Sequence, residues 1–111
     1  MRKRTIAVLL GLAIAAIAVL PALAATPKIT GTVGPGFTIS LKKPTKAGKY
    51  TLVVSDKSSI HNFHLKGKGV NVKTTVAATG SKTFKITLAK GKYTFLCDPH
   101  PTSMKGSFTI R

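Results

Sequence analysis

The sequence has one cysteine, no tryptophan and only two acidic residues in 111 positions. A single cysteine excludes an intramolecular disulfide framework. Beyond residue 24 there is no long apolar run, so we expect no membrane span in that part of the chain. The same part has no sustained apolar period of 3.6, which excludes a helix bundle.

The first 24 residues have the three regions of a secretory signal peptide. Arg2, Lys3 and Arg4 precede an apolar run from Ile6 to Leu20, and Ala22-Leu23-Ala24 forms a small-residue cleavage site. We therefore predict that residues 1–24 are a signal peptide and that 25–111 form one mature domain, exported to the periplasm or the extracellular space. Retention of the leader as an anchor is the alternative.

The mature chain is strongly basic. Three of the 18 Lys and Arg fall in the leader, which leaves 15 against Asp56 and Asp98, a formal net charge of +13. Such a charge attracts anionic partners. No nucleic-acid motif accompanies it, so no specific nucleic acid is expected. Two interpretations stay open: a solvated basic surface, for solubility or contact with an anionic envelope surface, and a docking face for an acidic partner.

Short segments rich in Thr, Val, Ile, Phe and Tyr, separated by Gly and Pro, predict an all-β fold. Seven strands in 87 residues indicate a two-sheet Greek-key β-sandwich. The segment 66–81 is expected to cross between the sheets, with an irregular edge strand. The predicted strands are Lys28–Val33, Gly36–Leu41, Lys49–Ser55, Ile60–Leu65, Lys82–Leu88, Lys92–Cys97 and Lys105–Ile110.

A cluster of possible metal donors lies near the C-terminal end of the sequence. A predicted strand ends at Cys97, and the short loop that follows contains His100 and Met104. A thiolate, an imidazole and a thioether suit copper that cycles between two oxidation states. A lone cysteine in an oxidising compartment also needs an explanation, and metal ligation is one. Alternatively, Cys97 is a buried strand residue and Met104 fills the core.

A second imidazole is available upstream, in Ile60-His61-Asn62-Phe63-His64-Leu65. His-Asn-Phe on one strand and Cys-x-x-His-x-x-x-Met in the last hairpin together resemble the cupredoxin family, especially plastocyanin and amicyanin. The resemblance covers essentially the whole mature chain. It implies one type 1 copper ion with His61, Cys97 and His100 as equatorial ligands and Met104 as the long axial ligand.

The resemblance also implies that Asn62 ties the segment of the first ligand to the cysteine loop. Two features depart from the family pattern. The gap Pro101-Thr102-Ser103 is one residue shorter than in plastocyanin and one longer than in amicyanin. Asp98 occupies a position where these relatives usually have Ser or Thr, and a carboxylate there favours oxidised copper unless it points away from the metal.

His64 competes with His61 for the ligand role. Strand alternation places His61, Phe63 and Leu65 on one face and His64 on the other. If the face of Phe63 and Leu65 is the core, His61 points inward at the copper and His64 outward.

These features predict a monomeric one-electron carrier that meets an acidic redox protein transiently. With no open coordination position and no second metal, we do not expect an enzyme. Two alternatives remain: a copper-binding or copper-delivery protein without a redox-chain role, and a metal-free basic module that binds the envelope.

Overall fold

The computed structural model describes residues 25–111 and the isolated positions 11 and 13. The predicted signal peptide, 1–24, lies outside the described residues apart from those two positions. In the part of the chain that the structure describes, no helix is long and apolar enough to cross a membrane.

Eight strands form two four-stranded sheets, which confirms the predicted all-β sandwich. The strands are β1 Lys28–Val33, β2 Ile39–Leu41, β3 Gly48–Asp56, β4 His64–Gly67, β5 Val70–Lys73, β6 Gly80–Leu88, β7 Gly91–Leu96 and β8 Lys105–Ile110. The sheets have the strand orders β2-β1-β3-β6 and β5-β4-β7-β8. All neighbours are antiparallel except β1 and β3, which run parallel.

The bounds of three predicted strands differ by one or two residues from β3, β6 and β7, and two other predicted strands were wrong by more. β2 begins at Ile39 and not at Gly36, because a turn precedes it: the Gly34 N–H donates to the Thr38 carbonyl at 2.8 Å. The strand predicted over 60–65 begins only at His64. The additional strand β5 lies at a sheet edge inside the segment 66–81, where we expected an irregular edge strand.

The sandwich has two distinct ends. At the upper end, β1 ends at Val33, β3 at Asp56 and β7 at Leu96, while β4 begins at His64. At the lower end, β3 begins at Gly48 and β7 at Gly91, and the C-terminal Arg111 donates its backbone N–H to the Thr45 carbonyl in the β2–β3 loop. The apolar side chains of both sheets meet between these ends in one core.

Two glycines make room for aromatic rings in the sheet β5-β4-β7-β8. Gly67 pairs with Tyr93 and Gly106 with Phe95, and a Cβ on either glycine would lie within about 2.2 Å of the partner ring. Phe95 also stacks on Phe63, with ring centroids 5.7 Å apart. This stack joins the segment after His61 to the strand that leads to Cys97.

Candidate metal centre

Three of the predicted ligands converge at the upper end. His61 Nδ1 lies 3.1 Å from His100 Nδ1, and Cys97 Sγ lies 3.7 Å and 3.6 Å from these two nitrogens. Donors at about 2.0–2.3 Å from one ion and about 110–120° apart are separated by about 3.4–3.8 Å. The observed spacing is therefore close to that of three ligands on a single ion.

The chemistry of these donors fits copper. One thiolate and two imidazoles form the trigonal His₂Cys set of type 1 copper sites. His61 and Cys97 are fully buried, whereas His100 is half-buried. The site is therefore enclosed except on the side of His100.

The loop from Cys97 to Met104 is closed by its own backbone. The His100 N–H donates to the Cys97 carbonyl at 3.1 Å, the Met104 N–H to the His100 carbonyl at 2.9 Å, and the Cys97 N–H to the Met104 carbonyl at 3.0 Å. These bonds hold Cys97 and His100 in one compact turn. The Met104 side chain is fully buried where the loop ends, and its role as an axial ligand stays a prediction.

The segment 61–63 is irregular because other groups take up its backbone hydrogen bonds. The Asn62 N–H points at Cys97 Sγ, 3.5 Å away, and the Phe63 N–H donates to the Thr74 hydroxyl at 2.9 Å. The Thr74 N–H in turn donates to the Phe63 carbonyl. A donor aimed at the sulfur tunes the electronic properties of a bound metal.

The Asn62 side chain joins the two ligand segments, as the resemblance implied. Its Oδ1 accepts the Asp98 N–H at 2.8 Å, and its Nδ2 donates to Asp98 Oδ2 at 2.8 Å and to the Thr74 carbonyl at 3.2 Å. The spacing between His61 and Cys97 is thus set by groups that do not themselves face the metal site.

His64 does not point outward, so this part of the prediction was wrong. It is 8% exposed, with Nδ1 2.8 Å from Asp98 Oδ1 and Nε2 2.6 Å from Asn71 Oδ1. The edge strand β5 supplies Asn71, and it covers the face of β4 that the sequence assigned to solvent.

The Asp98 carboxylate is turned toward Asn62 and His64. Burial alone raises its pKa, but the hydrogen bonds from His64 and Asn62 outweigh that effect and hold the pKa below the ordinary value of 3.8. Asp98 therefore stays ionised and hydrogen-bonded to the side chains of His64 and Asn62.

Phe37 is a site residue that the sequence analysis missed. Its ring makes edge contacts with both imidazoles, with centroids 4.9 Å from His61 and 5.0 Å from His100. It is nevertheless 60% exposed. An aromatic residue in a Gly-Pro-Gly-Phe turn was the available signal, but only the folded chain brings that turn to the histidines.

Comparison with known proteins gives one family and a set of similar folds. The family model described as copper binding proteins, plastocyanin/azurin family, matches residues 32–111. No curated protein matches the sequence.

Two solved structures illustrate the fold. Auracyanin A, a "blue" copper protein from the green thermophilic photosynthetic bacterium Chloroflexus aurantiacus, has a TM-score of 0.54 and 19% identity, covering 78% of this chain and 100% of its own. A chain from the cryo-EM structure of a heme-copper terminal oxidase dimer has a TM-score of 0.53 and 13% identity, covering 81% of this chain and 68% of its own.

Proposed function

Because the chain belongs to the plastocyanin/azurin family of copper-binding proteins, we propose that it carries single electrons on one type 1 copper ion. The predicted family resemblance and the predicted copper cofactor are both confirmed. The observation that supports the proposal most directly is the convergence of His61, Cys97 and His100 on one point. Copper held by such donors supplies a Cu(I)/Cu(II) couple.

The residues around the donors suit electron transfer because they restrict movement. The Asn62 amide joins the two ligand segments, and the loop from Cys97 to Met104 is closed by three backbone hydrogen bonds. Ligands that are fixed by hydrogen bonds to neighbouring residues change position little when the metal changes its oxidation state. His100 is the only one of the three donors that reaches the surface, so we place partner docking around its ring.

We propose Met104 as the axial ligand, since its side chain is fully buried at the end of the ligand loop. Met104→Gln should retain copper and lower the reduction potential, because an oxygen donor is harder than a thioether and favours Cu(II). The control is Met104→Leu, which removes the donor and keeps the volume. A Leu variant with an unchanged potential and spectrum would exclude axial ligation.

The proposed setting is outside the cytoplasm, in the periplasm or the extracellular space. The predicted leader supports this setting, and so does a lone thiol that a metal would occupy. We propose a monomer that meets an acidic redox protein transiently and has no enzymatic turnover of its own. The positive net charge supports the choice of an acidic partner.

Two measurements on the copper-loaded protein distinguish a carrier from a copper-delivery protein. A carrier exchanges electrons rapidly between its own oxidised and reduced forms and retains copper in the presence of a chelating acceptor. A delivery protein exchanges electrons slowly and transfers its copper readily. Slow exchange combined with rapid copper loss would contradict the proposed function.

A further inference from the structure

The positive charge of the domain is concentrated at one end. All of the basic residues named here are exposed. The upper end has four, Lys57, Lys73, Lys82 and Lys105, and also both acids, Asp56 and Asp98. The lower end has seven basic residues and no acidic side chain: Lys43, Lys46, Lys49, Lys68, Lys90, Lys92 and Arg111. The other four basic residues of the mature chain lie between the two ends: Lys28, Lys42, Lys66 and Lys85.

Contacts between the lower loops bring these charges onto one surface. The Tyr93 hydroxyl accepts the Ala89 N–H at 2.9 Å and lies 3.4 Å from the Lys68 carbonyl, which joins the β6–β7 turn to the β4–β5 turn. Gly91 at the end of the β6–β7 turn pairs with Ile110, which places Arg111 beside it. The bond from Arg111 to Thr45 described above then brings in the β2–β3 loop, so these regions are neighbours.

No acidic side chain of the described residues compensates this charge. Among the described residues, no Lys or Arg side chain forms an ion pair with a carboxylate, because the one pair that involves an acid is His64 with Asp98 at the upper end. Like charges at this density repel one another. An anionic surface outside the domain would relieve the repulsion.

The position of the N-terminus indicates which anionic surface this is. β1 runs toward the upper end from Lys28, and Thr26 before it lies beside Lys49, so the chain that precedes β1 approaches the domain from the lower side. That preceding chain contains the apolar run Ile6–Leu20 with Arg2, Lys3 and Arg4 before it. While the predicted leader is attached, it would therefore join the domain to a bilayer from this side.

We propose that the lower end is a docking surface for a bilayer that contains anionic lipid headgroups. Lysines near such a bilayer are attracted to it, each strengthening binding by about fivefold. β3 spans the distance between the two ends, about 26 Å for eight steps along a strand. The Debye length at physiological salt is about 8 Å. Docking at the lower end therefore leaves the copper end free for a redox partner.

Two variants of equal net charge test this proposal. One replaces three exposed lysines of the lower end, as Lys43→Glu, Lys46→Glu and Lys49→Glu. The matched control replaces three exposed lysines of the upper end, as Lys57→Glu, Lys82→Glu and Lys105→Glu. The mature form of each protein, residues 25–111, is mixed with vesicles of phosphatidylcholine alone or with added phosphatidylglycerol, and the bound fraction is measured by co-sedimentation. Circular dichroism checks that both variants keep the all-β fold.

We expect the unsubstituted protein to bind only the vesicles with phosphatidylglycerol and to leave them as salt is raised. The lower-end variant should bind at least about tenfold more weakly, and the upper-end control less than about threefold. Equal losses in both variants would overturn the proposal, since binding would then follow net charge alone. Tighter binding to a short DNA duplex than to the vesicles would assign the surface to nucleic acid instead. Because the assay needs no copper, its failure would leave the proposed electron-carrier function standing.

Discussion

The imidazole of His64 and the carboxylate of Asp98 meet at 2.8 Å, immediately behind the segment that carries Cys97. His64 belongs to β4 and Asp98 to the ligand loop, so this contact connects a strand to the metal site without adding a donor to it. His64 and His61 are three residues apart and have different roles: His61 is one of the three clustered donors, whereas His64 binds Asp98.

Replacing each histidine by alanine in turn should distinguish these two roles. His64→Ala should keep the visible copper spectrum and lower the free energy of unfolding by about 1 kcal/mol, because Asp98 loses a partner but is itself partly exposed. His61→Ala should abolish the spectrum. The measurements are visible absorption and chemical unfolding. Loss of the spectrum in His64→Ala, with retention in His61→Ala, would reverse the assignment.

Phe37→Ala should speed the loss of copper to a chelator. The Phe37 ring lies against both imidazoles, and its removal opens them to water and protons. Ile60→Ala is a suitable control, since Ile60 is the other large exposed apolar residue within the described residues, at 55% against 60%. We expect at least a severalfold faster release from Phe37→Ala and no change from Ile60→Ala. Equal release rates would show that the exposed ring does not shield the site.

Gly106→Ala should destabilise the fold. An added Cβ would lie 2.2 Å from the Phe95 ring, which cannot move away without breaking its stack on Phe63. Overpacking of this kind costs about 1–3 kcal/mol. Ser107→Ala, at the exposed neighbouring position on β8, should change the unfolding free energy little. A Gly106→Ala protein as stable as the control would mean that the ring has room to shift.

Asp56 predicts a pH dependence of stability. Burial raises the pKa of its carboxyl above 3.8, although the Ser58 N–H donates to it. Its Oδ2 has no hydrogen-bond partner among the described residues. The folded state therefore binds this proton more tightly than the unfolded state, and the contribution of Asp56 to stability falls as pH rises from about 3.8 through the raised pKa.

Asp56→Asn should remove this dependence. The amide retains an acceptor for the Ser58 N–H and carries no charge, so the variant should be more stable than the parent at neutral pH by about 1 kcal/mol. The advantage should disappear at acidic pH. Unfolding free energies measured across the acidic range provide the check, and an advantage that grows as pH falls would contradict the direction of the pKa shift.

The sequence was sufficient for the fold class because short alternating strands and Gly/Pro turns are local signals. It gave the bounds of β1 and β8 correctly. The prediction from sequence was wrong where a side chain takes the place of a backbone partner in the sheet. The Thr74 hydroxyl accepts the Phe63 N–H, so no strand forms before His64. Thr74 is 11 residues from Phe63, and no local pattern predicts that bond.

The site was predictable in its donors and not in its surroundings. Cys97 and His100 lie in one short loop, so their proximity follows from the sequence. The preference for His61 over His64 agrees with the cluster that the structure shows, although it relied on strand alternation in a segment that is irregular. Burial of His64 by β5 and the contact of Phe37 with both imidazoles depend on how distant segments pack.

The most direct test of the central claim is the visible absorption of the purified protein during titration with Cu(II). If His61, Cys97 and His100 hold one type 1 copper, an intense thiolate-to-Cu(II) charge-transfer band should grow and saturate at one copper per chain. Cys97→Ser should lack the band while keeping its all-β circular dichroism. A Cys97→Ser protein with the same band, or a parent protein that stays colourless, would contradict the account.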